Sequence, residues 1–78
     1  MLYHHFVQVR FDNETADVAE QKKYYDFMNR YTATGLAMNN GKSEFIFNSD
    51  RKLDKKQISK ELGGLAVLAL NISEIKAA

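Results

Sequence analysis

Leu36-Ala37-Met38-Asn39-Asn40-Gly41-Lys42-Ser43-Glu44-Phe45-Ile46-Phe47 contains two short alternating segments separated by Asn-Gly. Leu36 and Met38 alternate with small or polar neighbours, and Phe45 and Phe47 do the same after the break. Such a turn needs φ > 0 at both central residues, which Asn and Gly tolerate best. The segment therefore predicts a β-hairpin, with Leu36 and Met38 on one face of its first strand and Phe45 and Phe47 on one face of its second.

On the N-terminal side, Tyr3 to Phe11 is rich in aromatic and β-branched residues and reads as a strand. Val7, Val9 and Phe11 fall on one face, and His4, Phe6, Gln8 and Arg10 on the other. Asp12-Asn13-Glu14-Thr15 supplies turn and cap residues. Either Thr15 or Asp17 caps the helix that follows, and Asp17 with Glu20 would make a capping box. Tyr24, Phe27, Met28 and Tyr31 recur at spacings of three and four, so one apolar stripe faces the core as far as about Tyr31.

On the C-terminal side, Asp54 and Gln57 form a D-x-x-Q variant of the capping box, and Leu53 can staple onto Ile58. Ile58 and Leu62 make a narrow apolar face, and Gly63 suits the left-handed position that ends a helix. Leu65 to Ile72 is a short apolar run that reads as a buried strand. The order is β-α-β-β-α-β over residues 1–78, one domain. It predicts an α+β, ferredoxin-like plan: a four-stranded antiparallel sheet with two helices on one face and the first and third strands central.

That plan leaves the other sheet face bare, with Phe6, Gln8, Arg10, Ile46, Val67, Ala69 and Asn71 on it. Phe6, Ile46 and Val67 would form an apolar patch, and such patches mark partner surfaces. A chain of 78 residues has a thin core and gains by covering more apolar area, so a homodimer is expected. The RNA-stacking arrangement needs aromatics on both central strands. Turning Phe45 outward to join Phe6 would turn Glu44 and Asn48 inward at a desolvation cost, so Phe45 is assigned to the core.

Composition removes several classes. Cysteine is absent, which excludes disulfides, thiolate nucleophiles and Cys-based zinc sites and favours a reducing, cytoplasmic setting. Met1-Leu2-Tyr3-His4-His5 lacks the basic start and apolar run of a signal peptide, and no stretch is long and apolar enough to span a bilayer. A net charge of +1 provides no global field for nucleic acid. Gly35 to Gly41-Lys42-Ser43 has five residues between its glycines and leads into a strand, so it is not a phosphate loop and no nucleotide cofactor is expected. His4 and His5 point to opposite faces of a strand and cannot easily share a metal. No hydrolytic triad or nucleophile elbow is present.

Two features remain. Arg51, Lys52, Lys55 and Lys56, with Lys60 beyond, concentrate positive charge before and along the second helix, interrupted by Asp50, Asp54 and Glu61. They make either a solvated helix surface or a site for RNA phosphate or an acidic protein. Asp12 closes the first strand beside Asn13 and Glu14. A carboxylate there can hold a divalent cation, and two copies in a two-fold dimer could converge on one ion that activates water against a phosphodiester. The same four residues are also what an ordinary strand-to-helix turn looks like.

Phe11-Asp12 at the end of the first strand, Tyr25-Asp26-Phe27-Met28-Asn29, Ser43-Glu44-Phe45-Ile46 and Leu70-Asn71-Ile72 together resemble the GhoS-type antitoxin endoribonucleases and the related VapD-like small ferredoxin-like proteins. The resemblance implies an antitoxin-like regulator, with Asp12 as its candidate acidic residue and Arg10 as a phosphate contact; no cofactor is expected, except Mg2+ at Asp12 under the nuclease alternative. Two functions are thus expected. One is a dimeric regulator or inhibitor of toxin–antitoxin or anti-defence type, acting through its open sheet face on a protein or RNA partner. The alternative is a metal-dependent endoribonuclease that cleaves a toxin mRNA.

Overall fold

The structure, a computed structural model, describes residues 1–76, so Ala77 and Ala78 of the expected domain lie outside the described residues. The elements are β1 (Leu2–Arg10), α1 (Val18–Arg30), β2 (Thr34–Asn39), β3 (Lys42–Ser49), α2 (Lys55–Glu61) and β4 (Val67–Ile75). The four strands make one antiparallel sheet ordered β2-β3-β1-β4, with β1 and β3 central as expected.

Local chemistry explains the boundaries. Asn40 (φ 52°) and Gly41 (φ 73°) are both left-handed, as a two-residue hairpin turn closing on Asn39 and Lys42 requires. Asp17, not Thr15, caps α1: its carboxylate accepts the Glu20 N–H at 2.8 Å. Asp54 caps α2 through the Gln57 N–H, also at 2.8 Å, and the staple residues Leu53 and Ile58 are both fully buried. Helix α2 ends in a Schellman motif. Gly63 (φ 75°) donates to the Lys60 carbonyl and Gly64 to the Ser59 carbonyl.

Val7, Val9, Phe11, Phe45 and Phe47 meet Tyr24 and Phe27 of α1 and Leu53, Ile58 and Leu62 around α2 in a single core. Both helices therefore feed the same side of the sheet. Phe27 sits edge-on to Phe45 (5.5 Å) and Phe47 (5.6 Å), and Tyr24 stacks on Phe11 at 4.1 Å. Burying a side chain of this size is worth roughly 1.5–3 kcal/mol.

Three expectations are corrected, two of them by bulges. In β4 the partners jump from Gln8–Ala69 to Val9–Val67, which leaves Leu68 as an extra residue. Because side chains alternate strictly, one extra residue transfers Val67 from the open face to the inner one, where it packs half-buried against the core. In β2 the partners jump from Gly35–Phe45 to Ala37–Glu44, so Leu36 and Met38 do not share a face. Every residue of β2 is exposed. The third correction concerns burial. The apolar run expected to be a buried strand lies at the edge of the sheet, and β4 contributes no fully buried residue to the core.

Candidate functional site

The open face is built around the pairing of β1 with β3. Phe6 lies directly opposite Ile46, Gln8 opposite Glu44, and Arg10 opposite Lys42. On the other flank, Asn71, Ala69 and Ser73 of β4 face Phe6, Gln8 and His4. Phe6 and Ile46 are both half-buried by their neighbours on the sheet, and no element among the described residues packs over them as α1 and α2 cover the inner side. Polar groups ring this pair. The Gln8 side chain donates to Glu44 at 3.2 Å, and His4 Nδ1 lies 3.1 Å from Asn48 Oδ1. The structure thus brings Phe6 and Ile46 into contact register, while Val67, the third residue of the expected patch, is on the opposite side.

At one end of this face, Arg10 and Asp12 line a common depression of about 520 Å3 together with Thr15, Glu20, Gly41, Gly64 and Ala66. The depression exists because β1 ends where the hairpin turn and the approach to β4 converge. Arg10 N–H donates to the Ala66 carbonyl, and Phe11 N–H to the Gly41 carbonyl. Asp12 is held as a turn residue. Its Oδ1 accepts the Glu14 N–H at 2.9 Å, and its carbonyl accepts the Thr15 and Ala16 N–H groups. Gln21 and Tyr25 fasten the same loop through the Asn13 carbonyl and the Asn13 side chain. Among the described residues no three His, Cys, Asp or Glu side chains come together to hold a metal ion. The carboxylates of the depression itself are Asp12 and Glu20.

The basic residues do not form one patch. Arg51 and Lys56 share a depression of about 600 Å3 with Lys60, but Asp54, Gln57 and Glu61 line it too. Lys52 turns away and lies 5.5 Å from the centre of the Tyr3 ring, and Lys55 is exposed on α2. Glu61 is already engaged. It accepts from the Tyr31 hydroxyl at 2.7 Å and from Arg30 at 3.0 Å. Burial first, and then the Glu61 carboxylate, push the Tyr31 hydroxyl above its ordinary pKa, with Arg51 partly offsetting them.

The strand alternation turns one of His4 and His5 towards the core, and the structure shows which one and adds a second buried polar contact. His5 is fully buried and stacks on Phe47 at 4.4 Å. Its Nε2 accepts the Leu53 N–H at 3.1 Å, so the ring proton is on Nδ1, which donates to the Tyr3 carbonyl at 3.2 Å. Burial lowers its pKa below 6.5, partly opposed by its backbone hydrogen bonds. Tyr24 and Ser43 share a hydroxyl–hydroxyl hydrogen bond inside the core. The alternation of β1 does place His5 inward, but its partner Leu53 is 48 residues away, and nothing local signals that pairing.

No family model, no curated protein and no solved structure matches this chain. No helix among the described residues is long and apolar enough to cross a membrane.

Proposed function

We propose that this chain is a ferredoxin-like regulator or inhibitor, dimeric and cytoplasmic, that binds a macromolecular partner through its open sheet face. The observation behind this reading is the Phe6–Ile46 pair, facing directly across the two central strands with a polar ring around it and no covering element. An apolar centre with a polar rim is the anatomy of a protein interface. The Glu44 carboxylate beside the pair disfavours phosphate at the middle of the face, so a protein is the first partner class and RNA the second. The setting in toxin–antitoxin or anti-defence biology is supported by the short resemblance to the GhoS-type group alone.

The test is capture of partners by crosslinking with wild-type protein and with the double variant Phe6→Glu/Ile46→Glu, after circular dichroism has shown equal folding. Partners retained by the wild type and lost by the variant support the reading. Equal retention removes it.

A second reading is favoured by one observation: Arg10 and Asp12 line the same depression, a cation and a carboxylate placed where a phosphodiester and a divalent ion could meet. Incubation of mixed RNA with Mg2+ or with chelator decides it. Metal-dependent cleavage that Asp12→Asn abolishes supports an endoribonuclease, and cleavage unchanged in that variant eliminates the mechanism.

A further inference from the structure

The most apolar strand of the chain stands where a strand has only one neighbour. In β4, Leu68, Leu70, Ile72 and Ile75 are interspersed with Ala69 and Asn71, and the first charge is Glu74. Near-continuous apolar strands are usually flanked on both sides and covered. Here β4 pairs only with β1. Among the described residues, its other row of backbone N–H and C=O groups meets no partner. Its inner-face residue Leu70 packs against the core but, like Ile72 two residues on, remains half-exposed. At the strand's far end, Leu2 and Ile75 face each other, 47% and 40% exposed, in an apolar groove with Met1.

We infer that this edge is a dimerisation seam, at which β4 of a second copy of the chain pairs antiparallel with β4 of the first to give one continuous eight-stranded sheet. Self-association fits the edge for three reasons. From Ala69 to Ile75 the ladder with β1 is uninterrupted, so a straight run of amides is available. Two-fold antiparallel pairing centred on Asn71 sets Glu74 of one copy opposite Leu68 of the other, so no like charges meet across the seam. In the register centred on Asn71, Leu70 of each copy lies opposite Ile72 of the other on the inner face and continues the core across the seam. A seam of one strand pair with its flanking side chains falls at the small end of specific interfaces, below roughly 1,200 Å2 in total. A seam of that size is not an obligate interface, so the dimer dissociates on dilution.

This inference supplies the geometry of the dimer in the proposed function and leaves Phe6 and Ile46 free in both copies. It also opposes the shared-ion form of the nuclease reading. Asp12 sits level with the start of β4, so the two carboxylates would stand at opposite ends of the seam, on the order of 30 Å apart at about 3.3 Å per residue.

The experiment is analytical ultracentrifugation over a dilution series, combined with hydrogen exchange at both ends of that series. The expected result is a monomer–dimer equilibrium in which amides of β4 exchange at least about tenfold more slowly in the concentrated sample while those of β2 do not change. Asn71→Lys, at an exposed position in the middle of the strand, should abolish both effects, and Phe6→Glu should leave both intact. A monomer at every concentration overturns the inference. So does a dimer whose β4 amides gain no protection, or one that Phe6→Glu dissociates. That last result would transfer the contact to the open face, whereas failure of partner capture alone would remove the functional reading and leave the seam standing.

Discussion

His5 links β1 to the segment before α2, and its chemistry makes that link sensitive to pH. The neutral ring satisfies both nitrogens, but a proton on Nε2 would face the Leu53 N–H with no acceptor left. Folding lowers the pKa of the ring from 6.5, so the unfolded chain binds the proton more tightly. Stability is therefore complete above about pH 6.5 and is lost as pH falls from there through the folded value. Thermal melts should show the midpoint dropping between pH 7 and pH 5, a range above most carboxylate titration. His5→Phe should cost about 1–3 kcal/mol at pH 7 by orphaning the Leu53 N–H, and should flatten that pH dependence. A melt of His5→Phe with the same slope as wild type would assign the effect elsewhere. The Tyr24–Ser43 pair is read by a different logic. Tyr24→Phe or Ser43→Ala each strands a buried hydroxyl and should cost about 1–3 kcal/mol, while the double variant should lose less than the sum. Denaturant titrations of the four proteins measure that coupling.

At the scale of elements, the best-marked features are those whose signals are local. Asn40-Gly41, the Asp54/Gln57 box, the Leu53–Ile58 staple and Gly63 each lie within a few residues of the partner they need, and each is found in its expected place. The bulges at Leu36 and Leu68 were not legible. A strand with one surplus residue has the same composition as one without it, and the surplus shows only when both partners are aligned. Val67 was misassigned for that reason, while Phe6 and Ile46, on the unbroken β1–β3 ladder, were placed on the correct face. The edge position of β4 follows from the expected order with β1 and β3 central; its incomplete burial does not, because an apolar run records how much burial a strand wants and not how many neighbours one copy supplies. Helix α1 offers a test of local strain. Its C-terminal motif places Thr32 at φ 51°, a left-handed conformation that a β-branched residue resists. Ala33 N–H still reaches the Met28 carbonyl at 2.8 Å, so the motif itself is formed. Thr32→Gly should stabilise the protein by about 1 kcal/mol, raising the melting midpoint by roughly 4–8 °C for a domain of this size. An unchanged or lower midpoint would show that the strain is relieved elsewhere.

For the molecule as a whole, charge is nearly balanced at +1, and the basic side chains are separated by Asp54, Glu61 and the diversion of Lys52 onto Tyr3. Long-range attraction is therefore weak, and the partner binding proposed above would rest on shape and apolar contact. The two margins of the sheet differ in a way that governs stoichiometry. On the β2 side, Gly35 and the surplus Leu36 interrupt the strand and leave only Ala37 to Asn39 in regular register before the turn, too little to template another chain. With the proposed seam at β4 as its one adhesive margin, a particle joins a single companion and growth then terminates. Removing Leu36 would straighten the inert margin and give each particle two adhesive ends. The expected product of that deletion is an open-ended ribbon, visible as rising light scattering and fibrils by electron microscopy. Discrete pairs persisting in the deletion variant would mean that something other than this one-residue irregularity sets the limit at two.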